Sequence, residues 1–501
     1  MDSPDLGRIC TILCLLLGGY LISLTLYQWQ RLRHIPGPFL ASFTYAWLAY
    51  TGWCGKQDKI YKPLGPKYGP LVRVGPGEVI TDDPETIRRI SNSKSLYPRS
   101  GWYDGTRFTP DRDGLFTMMD PVIHDNHKAK TIHGYSGRET PGVESAIEVQ
   151  IKNLVSLIRR EYVHKPGTTK LVPLDLSKVI PLFALDVISC IAIGKEFGCL
   201  QANKDVVGFF RPIEKYLPVL NVFADVPWAR RLVFSKIGIK LIGPKPTDKD
   251  GLGLIMKLVN TEVRKRYSGD DKVSHDILGS FRRRGLTEAE CQAEALFMFI
   301  AGTETVSSAL RTTLFHLIGT PVAYQRLKAE IKTAVENRTV SSPITAAEAK
   351  TLPYLQAVLY EGLRIRPAAT ATFAKEVPPG GDTIHGYFVP AGTSVGPNLP
   401  CMMRSKELFG EDADIFRPER FLEADPDTRT EMQRNVDLVF GYGRWMCAGK
   451  TVAWLELNKM IFEVVREFDF QIFDPKEGIK SWSHGAWVDK DIFVVAREAD
   501  S

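Results

Sequence analysis

Thr287 and Glu290 stand three residues apart at the head of a helix-periodic run that continues to about Ile318 and meets Gly319-Thr320-Pro321. The spacing predicts a capping box, and the glycine and proline predict the stop. At 1.5 Å per residue such a helix is roughly 45–50 Å long, enough to cross a whole domain. Its middle, Ala295 to Ala301, is apolar on every face, so other elements must enclose it on all sides. Whatever else this chain forms has to be wrapped around one long central helix. Within that helix sits Ala301-Gly302-Thr303-Glu304-Thr305. Glycine is about 1 kcal/mol less favourable than alanine in a helix, and an unpaired buried carboxylate is costlier still. The segment reads either as a kink with a solvated glutamate or as a groove where something packs against backbone, with an acid and a hydroxyl beside it.

The rest of the chain supplies the wrapping. Most of residues 140–370 is patterned as long amphipathic helices, with Gly243-Pro244-Lys245-Pro246 and Ser268-Gly269-Asp270-Asp271 as exposed breaks. Leu71 to Val74, Gly75-Pro76-Gly77 and Glu78 to Thr81 spell a short hairpin, and further short strands are expected at 372–397 and 484–497. With no low-complexity linker and no internal repeat, the 501 residues read as one body, mainly α with minor β. Length alone would suggest roughly three domains. The net charge of +6 comes from 64 basic and 58 acidic residues. That surplus is too diffuse for a nucleic-acid footprint and suits an anionic membrane or an acidic protein partner. Eight cysteines without a CxxC pair argue against a disulfide scaffold or a structural zinc site.

Ile9 to Tyr27 is uncharged, rich in Leu and Ile, and about as long as a bilayer-spanning helix. A cleaved signal peptide would have a shorter apolar region and a small-residue cleavage site. Tyr27 and Trp29 suit the membrane interface, Arg31 and Arg33 follow the span, and Asp2, Asp5 and Arg8 precede it. Positive-inside logic therefore puts everything after residue 31 in the cytosol. Residues 1–34 are expected to form an N-terminal anchor, one transmembrane helix and its basic flank. Pro36-Gly37-Pro38 then breaks the helix and opens the body at 35–501. In this orientation the sequon Asn337-Arg338-Thr339 stays unglycosylated.

A second concentration of chemistry lies at Phe440-Gly441-Tyr442-Gly443-Arg444-Trp445-Met446-Cys447-Ala448-Gly449. Three glycines surround one cysteine, and helical periodicity resumes at once through Val452, Leu455, Leu457 and Met460. Backbone N–H groups and the helix dipole stabilise a thiolate at such a position. The sulfur is a nucleophile, a metal ligand or, most commonly for a lone cysteine, a buried structural thiol. No neighbouring histidine stands ready as a base.

With these residues in view, the chain resembles the cytochrome P-450 haem-thiolate monooxygenases over nearly its whole length. It is most similar to fungal microsomal members of the pisatin-demethylase kind. The resemblance implies the cytochrome P-450 fold and haem b with an axial thiolate from Cys447, in a loop matched at Phe440, Gly443 and Gly449. The family's basic residue two before the cysteine is Trp445 here, and Arg444, one position earlier, takes its implied propionate role. Glu361-Gly362-Leu363-Arg364 matches the family's Glu-x-x-Arg element, and Arg420, in Phe416-Arg417-Pro418-Glu419-Arg420-Phe421, matches its third partner. The three imply a buried charge network supporting the haem loop. Ala301 to Thr305 matches the oxygen-activating element, with Ala301 beside the haem, Thr305 as the hydroxyl at the oxygen site and Glu304 as proton relay. A thiolate ligand suits haem iron to monooxygenation. Further propionate contacts are implied at Lys128, four after His124, and at Lys375, with lysine where arginine is usual.

The haem body absorbs the length after the anchor, and no dinucleotide fingerprint follows a strand. The resemblance therefore implies electrons from NADPH through an external membrane-bound cytochrome P-450 reductase, with cytochrome b5 as a second donor. Arg444 and Lys450 would face an acidic flavoprotein. The implied location is the endoplasmic reticulum membrane, single-pass, with the catalytic domain cytosolic. By the same resemblance, segments 102–119, 206–222, 296–301, 368–373 and 483–487 line a pocket for a hydrophobic small molecule. The implied reaction inserts one oxygen atom from O2 (hydroxylation, epoxidation or O-dealkylation) in the tailoring of fungal terpenoids, polyketides or alkaloids. Desaturation, ring rearrangement or C–C cleavage on the same fold, and a non-catalytic haem sensor, are the alternative readings.

Overall fold

In the computed structural model, which describes residues 6–163, 171–269, 274–476 and 478–499, the central helix runs Glu288–Ile318 without a break. Thr287 Oγ1 accepts from Glu290 N at 3.3 Å and Glu290 Oε2 accepts from Thr287 N at 2.7 Å, closing the capping box. The 31 residues span about 46 Å. Leu296, Met298, Phe299, Leu310 and Leu314 are all buried, as an all-round apolar stretch requires. Helix Leu176–Ile193 lies against it, and the two approach closely at Gly302. A Cβ at Gly302 would stand 2.8 Å from Ile188 Cδ1, so this glycine serves helix-to-helix packing. Leu176–Ile193 has the length and the mean hydropathy, 2.0, of a membrane span, yet most of it is buried in the body and its apolarity feeds the core.

The expected hairpin forms: Leu71–Gly75 pairs antiparallel with Glu78–Thr81, with Leu71 opposite Thr81. Glu78–Thr81 then runs parallel to Ser394–Pro397, and Lys375–Glu376 closes this four-stranded sheet. A second sheet sets Phe493–Glu498 between Leu174–Asp175 and Phe468–Ile472. Lys480–Ser483 and Trp487–Lys490 form a hairpin whose tip, His484 to Ala486, reaches the central cavity. The Gly243 break separates helix Lys236–Ile242 from helix Gly251–Tyr267. The second expected break begins at Ser268, but its Asp270 and Asp271 lie outside the described residues.

Helix Leu6–Leu32 covers the uncharged N-terminal run, and Ile12, Leu15, Leu16, Tyr20 and Ile22 on it are exposed. Its C-terminal end is tied to the body. The buried Arg73 guanidinium donates to Gln28 O at 3.1 Å and Trp29 O at 3.3 Å, two carbonyls of the last turns, while Arg31 reaches Ala391 O at 2.6 Å. Cations at a helix C-terminus satisfy its orphan carbonyls and offset its dipole. Leu32 and Ile35 are already core residues. At Gly37 a Cβ would lie 2.1 Å from the Arg73 carbonyl oxygen, so only glycine lets the chain pass this strand.

Candidate functional site

Cys447 sits on the loop that leads into helix Lys450–Glu467. The loop folds back on itself because Gly441 (φ 74°) and Gly443 (φ 56°) take left-handed conformations that side chains disfavour. Gly443 has a second reason to be glycine, since a Cβ there would lie 2.4 Å from Ser91 O. Cys447 N donates to Phe440 O at 2.7 Å, which fixes the sulfur's position, and the side chain faces a cavity of about 1770 Å³. Burial raises the thiol pKa, while the Gly449 and Lys450 N–H groups and the Lys128 and Lys450 ammoniums pull it down.

The central helix forms the opposite wall. Ala301, Glu304 and Thr305 all line the cavity. Thr305 Oγ1 donates to Ala301 O at 2.8 Å, one turn back. The Glu304 carboxyl has no hydrogen-bond or ion-pair partner among the described residues, and burial pushes its pKa up to about 7. Arg311 acts in the opposite direction, and Glu214 and Asp489 add to the rise. An acid poised near neutrality both gives and takes protons under physiological conditions. The remaining walls are largely apolar: Phe116 stacks on Phe297 at 4.4 Å, Trp102 meets Phe373 edge-on at 5.5 Å, and Ala368, Ala369 and Trp487 complete one side. Residues from each of the five expected pocket segments are present on these walls.

The cations around the cavity divide into two kinds. Arg444 and Lys450 already carry acids: Arg444 Nε lies 2.8 Å from Asp125 Oδ2 with further bonds to Ser93 O and Ser95 O, and Lys450 lies 2.9 Å from Asp437. The structure thus turns Arg444 away from the cavity and leaves neither residue as a free cation for a partner. Lys128 donates to Arg444 O at 2.6 Å and Met446 O at 3.1 Å, bracing the cysteine loop from outside the cavity wall. Burial and Arg99 bring its pKa down to about 8.

Arg99 and Lys375 are the second kind. They face each other across a backbone bridge, are 6% and 5% exposed, and have no carboxylate within ion-pair reach among the described residues. Arg99 donates only to the carbonyls of Leu115, Phe116 and Met118, and lies over the rings of Tyr103 (4.6 Å) and Trp445 (4.7 Å). Lys375 Nζ reaches Phe373 O at 2.6 Å and Tyr103 OH at 3.3 Å. Burial holds the pKa of both below their usual range; Arg99 adds to the fall at Lys375, while Tyr103 and the more distant Glu294 act against it at Arg99. Arg99 Nε and Trp445 Nε1 are buried without partners. Two unpaired cations and two orphaned donors at one edge, with a cysteine sulfur on the wall, fit a haem with its two carboxylates. Arg99 and Lys375 would hold those carboxylates and Cys447 the iron.

Behind the cysteine loop lies a network of a different character. Arg364 makes two bonds of 2.7 Å to the Glu361 carboxylate, and Arg420 Nε approaches the same oxygens at 3.1 and 3.2 Å. The remaining guanidinium donors reach Met403 O, Ala413 O and Asp412, and all three side chains are at most 3% exposed. Sequence reasoning found these three but missed Arg99, whose importance depends on burial alone. It also missed Glu456, a buried acid on the cavity wall with an unpartnered Oε2 and a pKa pushed well above the usual range. The signal available for Glu456 was an acid set among the apolar residues of the helix after Cys447, a feature that Glu463 shares.

Comparison with known proteins points the same way. The sequence profile described as Cytochrome P450 matches residues 36–489. The cytochrome P450 monooxygenase aba1 of Botryotinia fuckeliana is 47% identical over 470 residues, which cover 94% of this chain and 92% of that protein. Cytochrome P450 monooxygenase abl1 of Leptosphaeria maculans is 42% identical over 100% of this chain and 90% of its own length. Pisatin demethylase of Fusarium vanettenii is 28% identical, covering 91% and 88%.

Proposed function

The chain belongs to the cytochrome P450 family of monooxygenases, and from that premise we propose that it is a membrane-anchored enzyme of fungal secondary metabolism that inserts one atom of O2 into a hydrophobic organic substrate. The observation that carries this reading is the placement of Cys447 on one wall of an apolar cavity and Glu304 and Thr305 on the other. Haem bound at Cys447 supplies the iron chemistry that activates oxygen. The chain's own residues do the rest. The loop holds the sulfur through the Cys447 N–H bond to Phe440 O. The aromatic walls exclude water and accept apolar substrate. Thr305 keeps a hydroxyl proton at Oγ1 on the cavity side, and Glu304, near neutrality, holds and releases the proton that replaces it. A non-catalytic haem sensor would need no such acid and hydroxyl facing the site. Thr305→Ala should leave haem binding intact and reduce product formed per NADPH consumed by about tenfold or more; unchanged coupling would overturn its role.

Electrons come from NADPH through an external reductase, with cytochrome b5 as a second donor. Terpenoids, polyketides and alkaloids are the substrate classes that suit the apolar cavity. The body sits on the cytosolic face of the endoplasmic reticulum, held by helix Leu6–Leu32. Two short helices, Pro227–Val233 and Lys236–Ile242, support this placement by exposing Trp228, Leu232, Ile237 and Leu241 beside Arg231, Lys236 and Lys240, a composition suited to a lipid surface. Reductase-supplemented microsomes should consume NADPH with product formation, and metabolite profiling of a deletion strain should show the accumulated substrate. NADPH-independent turnover, or glycan on Asn337, would contradict the electron source or the orientation respectively.

A further inference from the structure

Glu294 lies on the central helix two turns before Ala301, is 2% exposed, and takes no part in the reaction outlined above. Its carboxylate is the meeting point of three hydrogen bonds. Oε1 accepts from the backbone N–H of Leu115 and from His127 Nε2 at 2.8 Å, and Oε2 accepts from Tyr135 OH at 2.9 Å. His127 and Tyr135 belong to helix Pro121–Tyr135, whereas Leu115 belongs to an irregular segment that has no ladder or helix of its own to hold it.

That segment is the one that carries Arg99. The carbonyls of Leu115, Phe116 and Met118 accept from Arg99 Nη1 at 2.5, 3.0 and 3.2 Å. Leu115 is therefore clamped on both sides of its residue, its N–H by Glu294 and its C=O by Arg99. The fit is close: a Cβ at Gly114 would stand 3.2 Å from Glu294 Oε1. A buried guanidinium with no carboxylate in ion-pair reach takes its position from the dipoles around it, and here the loop that aims those dipoles is held to the central helix by the Glu294 carboxylate and by the stacking of Phe116 on Phe297.

We infer that Glu294 is a positioning residue that holds Arg99 at the haem-carboxylate edge by fixing the Leu115–Met118 loop. The inference rests on the haem reading of the site. Its test uses the full-length holoenzyme, with two readouts: transfer of haem to excess apo-globin, and the ferric–ferrous midpoint potential. Arg99→Ala should speed haem loss about tenfold and lower the potential, because a cation near the carboxylates favours the reduced state. Glu294→Gln should move both readouts in the same direction by a smaller amount, and should add nothing in the Arg99→Ala background. Gly114→Ala keeps the carboxylate but presses a methyl against Glu294 Oε1, so it loosens the same clamp and should also speed haem loss, which keeps the inference testable where Glu294→Gln does not fold. Wild-type haem loss and potential in Glu294→Gln, or a full additive effect on top of Arg99→Ala, would overturn the positioning role while the thiolate spectrum stands. A wild-type enzyme without a thiolate spectrum would instead overturn the haem reading itself.

Discussion

Two groups of buried cations flank the cysteine loop, and they are built on opposite principles. Arg364 and Arg420 close on Glu361, and their remaining donors reach carbonyls or Asp412. Arg99, with Lys375 beside it, is as deeply buried yet finds only carbonyls and ring faces. A buried charge that is fully paired within the chain belongs to the fold. A buried charge left unpaired is destabilising unless something outside the chain completes it. The contrast separates the scaffold behind the cysteine loop from the binding site on the cavity wall, without reference to any relative.

Breaking the scaffold should have the largest effect. Glu361→Gln removes the carboxylate that Arg364 and Arg420 share, and should cost about 3–5 kcal/mol, read as a lower thermal midpoint and loss of holoprotein. The unpaired side should respond with opposite signs in its two states. Lys375→Met should stabilise the haem-free protein by about 1–2 kcal/mol in thermal unfolding and yet speed haem loss from the holoprotein. Destabilisation of both forms would place Lys375 with the scaffold instead.

Glu304 belongs to the unpaired class as an acid, and its behaviour is a matter of pH. Its pKa is raised from 4.5 to about 7 in the folded chain. The neutral form is the one the fold favours, so its contribution to stability is complete below about pH 4.5 and is lost as pH rises through about 7. Product formed per NADPH should fall over the upper part of the same window, and Glu304→Gln should give a lower, flat profile. The smallest effect is expected at Arg444, whose pairing with Asp125 is near the surface. Arg444→Ala should cost under about 1 kcal/mol and leave haem loss unchanged.

What the sequence made legible was local or short in spacing. The Thr287–Glu290 cap, the Leu71–Thr81 hairpin and the glycines around Cys447 are set by neighbours a few residues away. The Glu361–Arg364 pair was legible for the same reason, and Arg420 through its motif. What stayed hidden depends on contacts far apart in the chain. Gly302 lines the cavity, but the room its missing Cβ leaves for Ile188 depends on a helix more than a hundred residues away. Arg444 stood in the motif where a propionate contact was expected, yet Asp125, 319 residues away, takes its charge, while Arg99 occupies the cavity edge. Glu294 meets Leu115 across 179 residues. Periodicity and spacing carry no record of such encounters.

The central claim is that the unpaired edge and Cys447 together hold a thiolate-ligated haem. The reduced carbon monoxide difference spectrum tests it most directly. The wild-type protein should show the Soret band characteristic of a thiolate ligand, and Cys447→His should lose it while keeping bound haem. A wild-type spectrum without that band, or its survival in Cys447→His, would contradict the account.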